Sequence, residues 1–525
     1  MPFGILEDHK LDSVPGTGLL ATKGNQIITG DASGLKRGTG KYSHIVLIPQ
    51  PSDDPRDPLN WPRWRKETCF WTLVFMTGLA DTLLFLANPG YFLMAKQFSA
   101  SVDEVASSFS ATYLGVSIFM LLQIPISVKY GHRIVYLASS FLMLISCIWV
   151  AVSPNLTSVR ASRVFQGFGA AAARCLVANT IEHLYLGVLI NGYVIQLLSW
   201  RYGFWFASIA CGLCFVGVLL FVPETTYCRQ ASPTQRIPSD NFKDNGEMVE
   251  KSGPSPGTST SDNVDPNRDP PSPIRPTVHS YLKIYNGTFS DRSVWRIFLG
   301  MFPFVLSPVA LFAFVSVSIP TVLLGFVAAC SSTIFSVTYG FGPSQIGLTN
   351  IGSIAGIVLA IATAGPLSDW WVVWMARRNG GVYEPEFRLV FTLSLLVGAL
   401  SYMGWAVGND RHMPWIGAVA CLALTYFGIA IASATRVAYV IDTHGAHAAH
   451  IVALTEAAQD LLVYGSTFFA NGVVLSAGVR RTLLAVAALQ AACWATCVPV
   501  YVFGKRVRSF IARHPRLFSG DLGDS

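Results

Sequence analysis

The run Ile134-Val-Tyr-Leu-Ala-Ser-Ser-Phe-Leu-Met-Leu-Ile-Ser-Cys-Ile-Trp-Val-Ala-Val-Ser153 holds twenty residues without a charge. As an α-helix rising 1.5 Å per residue it would be about 30 Å long, the thickness of a bilayer's hydrocarbon core. Its apolar residues come in blocks rather than in alternation, so it does not read as a barrel strand. A backbone in lipid must satisfy its own polar groups, which leaves a helix. Similar runs recur near residues 67–88, 105–127, 160–180, 202–222, 346–368, 388–407, 413–435, 449–473 and 482–503. The chain has 525 residues, 52% of them hydrophobic and 13% charged, with a mean hydropathy of +0.46. That is too little charge to cover a soluble protein of this size. The sequence reads as an all-α membrane protein.

Outward from these runs the chain divides in two. Residues 1–66 form a polar N-terminal tail without the apolar core of a cleavable signal. A first helical bundle spans 67–222, a linker of disordered composition 223–295, a second bundle 296–504, and a tail 505–525. Two bundles joined by a polar linker are the pattern of a secondary transporter. The stretch 296–340 is long enough for two spans, and Pro303, Pro308 and Pro320 offer break points. It is read as one long, kinked span 7, which leaves the 369–388 loop on the cytosolic side. Basic residues gather at Arg63, Arg65 and Lys66, at Lys129 and Arg133, at Arg377, Arg378 and Arg388, and at Lys505, Arg506 and Arg508. The alternate loops are poor in them. By the positive-inside rule both termini are cytosolic.

Twelve spans are expected, and the fifth is anomalous. Between spans 4 and 6 lies only His183–Trp200, whose apolar run Leu184–Leu198 would make about 22 Å of helix. Span 5 therefore reads as truncated.

The ten cysteines mostly sit in apolar runs and read as small hydrophobes; Cys211 and Cys214 have C-x-x-C spacing but no converging ligands. The run His444, His447, His450 reads as solvated rather than as a zinc site. No metal or cofactor is expected. With no nucleotide-binding loop and no H-E-x-x-H motif, an enzyme is not expected either. The net charge of +7 fits cytosolic loops and gives no reason to expect a nucleic-acid partner. The expected partners are a small-molecule substrate, protons and the bilayer, and no helix-pairing signal demands more than a monomer.

Several motifs together resemble the fungal branch of the major facilitator superfamily that includes drug:proton antiporters and histidinol- or polyamine-type carriers. Pro51-Ser-Asp-Asp-Pro-Arg-Asp-Pro-Leu-Asn-Trp-Pro-Arg-Trp-Arg-Lys66 is similar to that family's juxtamembrane DPxNWPxWRK stretch. Arg163-Val-Phe-Gln-Gly-Phe-Gly169 resembles its RxxQGxG motif on span 4, and Pro223-Glu-Thr225 the PET that closes span 6. Gly365-Pro-Leu-Ser-Asp369, with Arg377 to Arg388 after it, resembles the C-terminal copy of the loop 2–3 signature. The N-terminal copy departs from the pattern, with Val128 where many relatives carry Asp. Only Gly187 to Tyr193 resembles the end of the antiporter motif, with roughly 25 residues missing from span 5. The resemblance implies the major facilitator fold and proton-coupled transport by alternating access. Efflux of drugs or secondary metabolites is the leading expectation, with uptake of cationic amines or an inactive remnant as alternatives. The plasma membrane is the expected location, the vacuolar membrane second.

Ionisable residues inside a membrane are costly and are candidates for function. Asp81, in span 1, reads either as the proton or cation site or as the ionised partner of Arg163 or Arg174. Arg163, by the resemblance, is the span-4 arginine that influences proton transfer; a fixed cation favours ionisation of a nearby carboxylic acid. Arg174 lies three turns further on the same face and reads either as an anion-binding residue or as a scar of lost function. Glu456 and Asp460, one turn apart on span 11, should repel, which suits proton exchange or an amine substrate. Lys129, Arg133, Asp369, Arg377, Glu384, Glu386 and Arg388 form the charge set that, by resemblance, locks and releases the two bundles.

Overall fold

The computed structural model describes residues 2–8, 10–11, 14–19, 57–176, 186–226, 283, 285, 287–290, 292–514 and 518. Most of the linker expected at 223–295, and most of the N-terminal tail, lie outside these residues.

The first half holds α1 (Arg63–Phe85), α2 (Tyr91–Phe98), α3 (Val102–Phe109), α4 (Ala111–Tyr130), α5 (His132–Val152), α6 (Leu156–Leu176), α7 (Leu186–Leu197) and α8 (Trp200–Phe221). The second holds α9 (Val294–Leu299), α10 (Pro308–Ala313), α11 (Ile319–Tyr339), α12 (Pro343–Arg378), α13 (Ser394–Asp410), α14 (Trp415–His444), α15 (Ala448–Ser466), α16 (Ala470–Ala477), α17 (Val479–Ala495) and α18 (Cys497–Arg513). Among the described residues nine helices or helical stretches are long and apolar enough to cross a membrane. The pair α15–α16, bent by 52°, makes a tenth if the two helices are one span. Helix α6 has the length, at 21 residues, but carries Arg160, Arg163 and Arg174.

One buried cluster is built almost wholly from the first half, including Met76, Leu83, Phe109, Met143 and Phe204. A second is built from the second half, including Phe335, Tyr402, Trp405 and Tyr426. Within each half one pair of helices approaches until only glycine fits. A Cβ on Gly115 of α4 would lie 2.0 Å from the Val164 carbonyl of α6, and one on Gly356 of α12 2.0 Å from that of Ala423 on α14.

The stretch 296–340 holds one span, as expected, but that span starts later. Helix α9 and a 3-10 turn at Phe302–Leu306 form separate short elements, and the span begins at Pro308. Ser307 is extended (φ −63°, ψ 127°), as a residue before proline must often be. Pro320 breaks nothing, because it sits in the first turn of α11, directly after a π-helical turn at Phe314–Ser318. At the other end the last helix runs on past residue 504 to Arg513.

The start of the chain docks on this last helix. The Leu6 amide donates to the Val502 carbonyl at 3.0 Å, Lys505 pairs with Glu7 at 2.6 Å, and Ile5 is fully buried beside Met375 and Phe387. Gly18–Leu19 (β1) pairs antiparallel with Val382–Tyr383 (β2), a two-residue ribbon.

Candidate functional site

Where the halves meet, α1, α6 and α15 bring three charges together. Arg174 on α6 donates from Nη1 to Asp460 Oδ2 on α15 at 2.7 Å. Its Nε lies 3.5 Å from Oδ1 of Asp81 on α1. The side chains of Arg174, Asp81 and Asp460 are 8%, 4% and 1% exposed. One guanidinium thus holds two carboxylates, one from each half, and its 286-residue separation from Asp460 makes the contact a tie between halves. Asp81 Oδ2 and Asp460 Oδ1 are buried without a hydrogen-bond partner among the described residues. A small cavity lies against them, lined also by Tyr113, Tyr426 and Gln459.

Glu456, one turn before Asp460, has its own cation. Arg436 on α14 donates from Nη2 to Glu456 Oε1 at 3.1 Å and from Nη1 to Ser318 Oγ at 2.9 Å. The repulsion expected between Glu456 and Asp460 is thereby divided between two guanidiniums. Sequence reasoning missed Arg436. Span 10 was expected to end at 435, which placed this arginine just beyond the membrane, whereas α14 continues to His444. Among the described residues three buried carboxylates face two guanidiniums here.

Arg163 stands apart from the carboxylates. It is fully buried and donates to the carbonyls of Leu83, Leu84 and Phe109 at 2.9, 3.2 and 2.7 Å, and to Gln166. Those carbonyls end α1 and α3, where a helix presents unsatisfied acceptors and partial negative charge. The same guanidinium lies over the rings of Phe109 and Phe204.

The seven expected gating charges separate into several places on one face. Arg133 donates to the Val222 and Leu219 carbonyls at the end of α8, and the Lys129 ammonium lies over Tyr130. Arg388 pairs with Asp442 at 3.4 Å and donates to Tyr383. Asp369 and Arg377 are exposed. Glu384 and Glu386 share Arg508 of α18 at 2.7 and 2.8 Å; Glu384 also takes Lys505 at 2.8 Å and a hydrogen bond from Thr17. Burial pushes the Glu384 carboxyl up, but the hydrogen bonds from Lys505, Thr17 and Arg508 outweigh it and hold it below its ordinary value. His444, His447 and His450 gather around the ring of Phe304.

The opposite face carries a latch that the sequence did not reveal. Asp103 of α3 accepts from the amide and side chain of Asn471 and from the amide of Gly472, each at 2.9 Å. These bonds join the first half to α16 of the second.

The Major Facilitator Superfamily family model matches residues 70–185 and 184–465, two segments that meet where α7 begins. An uncharacterized MFS-type transporter of Schizosaccharomyces pombe is 24% identical, over 96% of this chain and 94% of its own length. The efflux pump radE of Floropilus chiversii is 24% identical, over 88% and 84%. Among solved structures, a POT family transporter in complex with 5-aminolevulinic acid aligns with a TM-score of 0.55, covering 86% of this chain and 98% of that one at 13% identity. Two helical halves with their charges buried at the seam, and a family model matching most of the chain, agree: this protein is a member of the Major Facilitator Superfamily.

Proposed function

We propose that the chain is a proton-coupled secondary transporter of small organic molecules, working by alternating access, with efflux of drugs or secondary metabolites as its direction. The observation that carries this reading is Arg174 held between Asp81 and Asp460. Protonating Asp460 removes the charge that ties Arg174 across the seam, and protonating Asp81 removes its partner within the first half. With the seam loosened, the halves rock about it, and the Asp103 latch opens on one face as the other closes. A cationic substrate would answer the same charge, which keeps uptake of amines as an alternative. Similarity to a protein named as an efflux pump supports the direction. The face rich in basic residues is assigned to the cytosol, with both termini there, and the plasma membrane is the first location to examine. The protein is taken to act as a monomer.

The test is substrate flux in proteoliposomes with and without a pH gradient, for the native chain and for Asp81→Asn and Asp460→Asn. Gradient-driven flux should disappear in both variants. Flux that persists at the native rate in Asp81→Asn sinks the assignment of that carboxylate.

A non-transporting remnant or sensor is the second reading, favoured by the short stretch His183–Trp200 between spans 4 and 6. Sequencing the transcript across the codons for Thr180 to Arg201 decides it. A further segment of roughly 25 codons restores a full span and removes the reason for this reading; its absence strengthens it.

A further inference from the structure

Helix α4, of 20 residues, packs along α15, of 19. On the other side the described part of α7, 12 residues, packs along α12, of 36. Contact is made near the start of α12, where Gln196 accepts from the Ser344 amide at 3.0 Å. Helices α12 and α14 touch at Gly352 and Gly356, where a Cβ would strike Val419 and Ala423, whereas one on Gly365 would meet nothing within 4 Å. A groove of about 350 Å³ opens there, between α12, α14 and the start of span 9. That volume lies within the roughly 300–1,000 Å³ of small-molecule sites.

The groove is apolar along its length, with Ile357, Ala360 and Ala364 on one wall and Ala434 and Ala438 on the other. Its rim is exposed, Ile361 at 49% and Ile441 at 52%. Charge gathers at one end, where Asp369 and Arg388 line it. Arg388 is already answered by Asp442 at 3.4 Å and by the Tyr383 hydroxyl at 2.9 Å. Asp369 is exposed and has no ion-pair partner among the described residues. Arg377 and Arg378 stand two turns further along α12, about 12 Å away. Both are exposed, and Arg378 lies over Trp374, so bulk ions screen them at that distance. With Arg388 neutralised, the mouth keeps one negative charge.

We propose that this groove is a binding site for amphiphilic organic cations, molecules with an alkyl or aryl tail and an ammonium head. The tail lies between α12 and α14 in contact with the lipid, and the ammonium pairs with Asp369. The site is separate from Arg174 and its carboxylates, and it does not rest on proton coupling.

The test uses the full chain in nanodiscs of zwitterionic lipid and two photoreactive probes. Both carry the same diazirine-bearing alkyl tail; one ends in an ammonium and the other in a carboxylate. Labelled peptides are mapped by mass spectrometry. The ammonium probe should label residues 357–369 and 430–441 about fivefold more than the carboxylate probe, the ratio expected of one exposed ion pair. Ala434→Trp, which fills the groove from an exposed position, should abolish that labelling. Asp369→Asn should remove the preference while leaving tail labelling in place. Equal labelling of the native chain by both probes would mean a groove filled by any lipid tail and would overturn the proposal. So would ammonium labelling that survives Ala434→Trp, or a preference that survives Asp369→Asn. None of these readouts needs a proton gradient, so they stand whatever the flux measurements give.

Discussion

The tie through Arg174 can be measured by a double-mutant cycle. At an effective dielectric of about 20, the attraction of Arg174 for Asp460 at 2.7 Å is roughly 6 kcal/mol, and for Asp81 at 3.5 Å roughly 5 kcal/mol. These are gross terms, opposed by the desolvation of all three groups. Asp460→Asn leaves the guanidinium with Asp81, so nearly half of its compensation remains. The loss should then fall at about 3 kcal/mol, the lower end for breaking a buried pair. Arg174→Met is the harsher change, because it leaves Asp81 and Asp460 buried with no cation between them. The double variant removes both the orphaned charge and its former partner. It should cost less than the sum of the singles by about 2 kcal/mol or more. The assay is reversible unfolding of purified protein in mixed micelles by increasing SDS, which reads relative stability within one set of variants. Additivity within about 0.5 kcal/mol would show that the two residues do not interact, and the tie between halves would have to be abandoned.

Three further outcomes are expected. Asp103→Ala removes three hydrogen bonds to a carboxylate and should favour opening on that face. An impermeant thiol reagent applied there should modify a cysteine placed at Ala328, which lines cavities at the seam, about tenfold faster; an unchanged rate would refute the latch. Gly356→Ala should destabilise the protein by about 1–3 kcal/mol through the Ala423 carbonyl, while Gly465→Ala, which meets nothing within 4 Å, should be nearly neutral; equal effects would contradict the close crossing. Glu384 is held below its ordinary value in the folded state, so its contribution is complete at neutral pH and is lost as pH falls through that lowered value. Protease release of residues 1–19 from the solubilised protein should therefore accelerate only below about pH 4; release that is equally fast at pH 7 would sink the contact.

The apolar runs were legible because lipid imposes a length and a composition at once. The expected 134–153 differs little from His132–Val152. Asp81, Arg174, Glu456 and Asp460 were legible for the same reason, each being an ionisable residue inside a run that tolerates few. Their pairing was not. Nothing in one sequence says that Arg174 meets a residue 286 positions away rather than Glu456, which takes Arg436 instead. Arg436 was lost because the predicted span ended at 435, just before it, whereas the helix runs to His444. Asp103 was hidden in a loop whose polar residues needed no explanation. The start of the span within 296–340 was misplaced because periodicity cannot separate a longer span from a short helix followed by a span; the extended Ser307 before Pro308 makes that distinction.

The docking of the N-terminus on α18 also bears on the number of crossings. Glu7 and Lys505 are in contact, so positions near the two ends of the chain share one face of the membrane. Residues 20–56 and 227–293 hold no apolar run of membrane length. A chain with residues 7 and 505 on one side must cross an even number of times between them. Among the described residues the nine apolar spans, the bent pair taken as one crossing, and α6 make an odd number. The return between α6 and α8 is then itself a crossing, of which the described part of α7 supplies about 18 Å. Where such a crossing is shorter than the hydrocarbon is thick, the surrounding bilayer thins to meet it, and the thinned patch would lie beside α7.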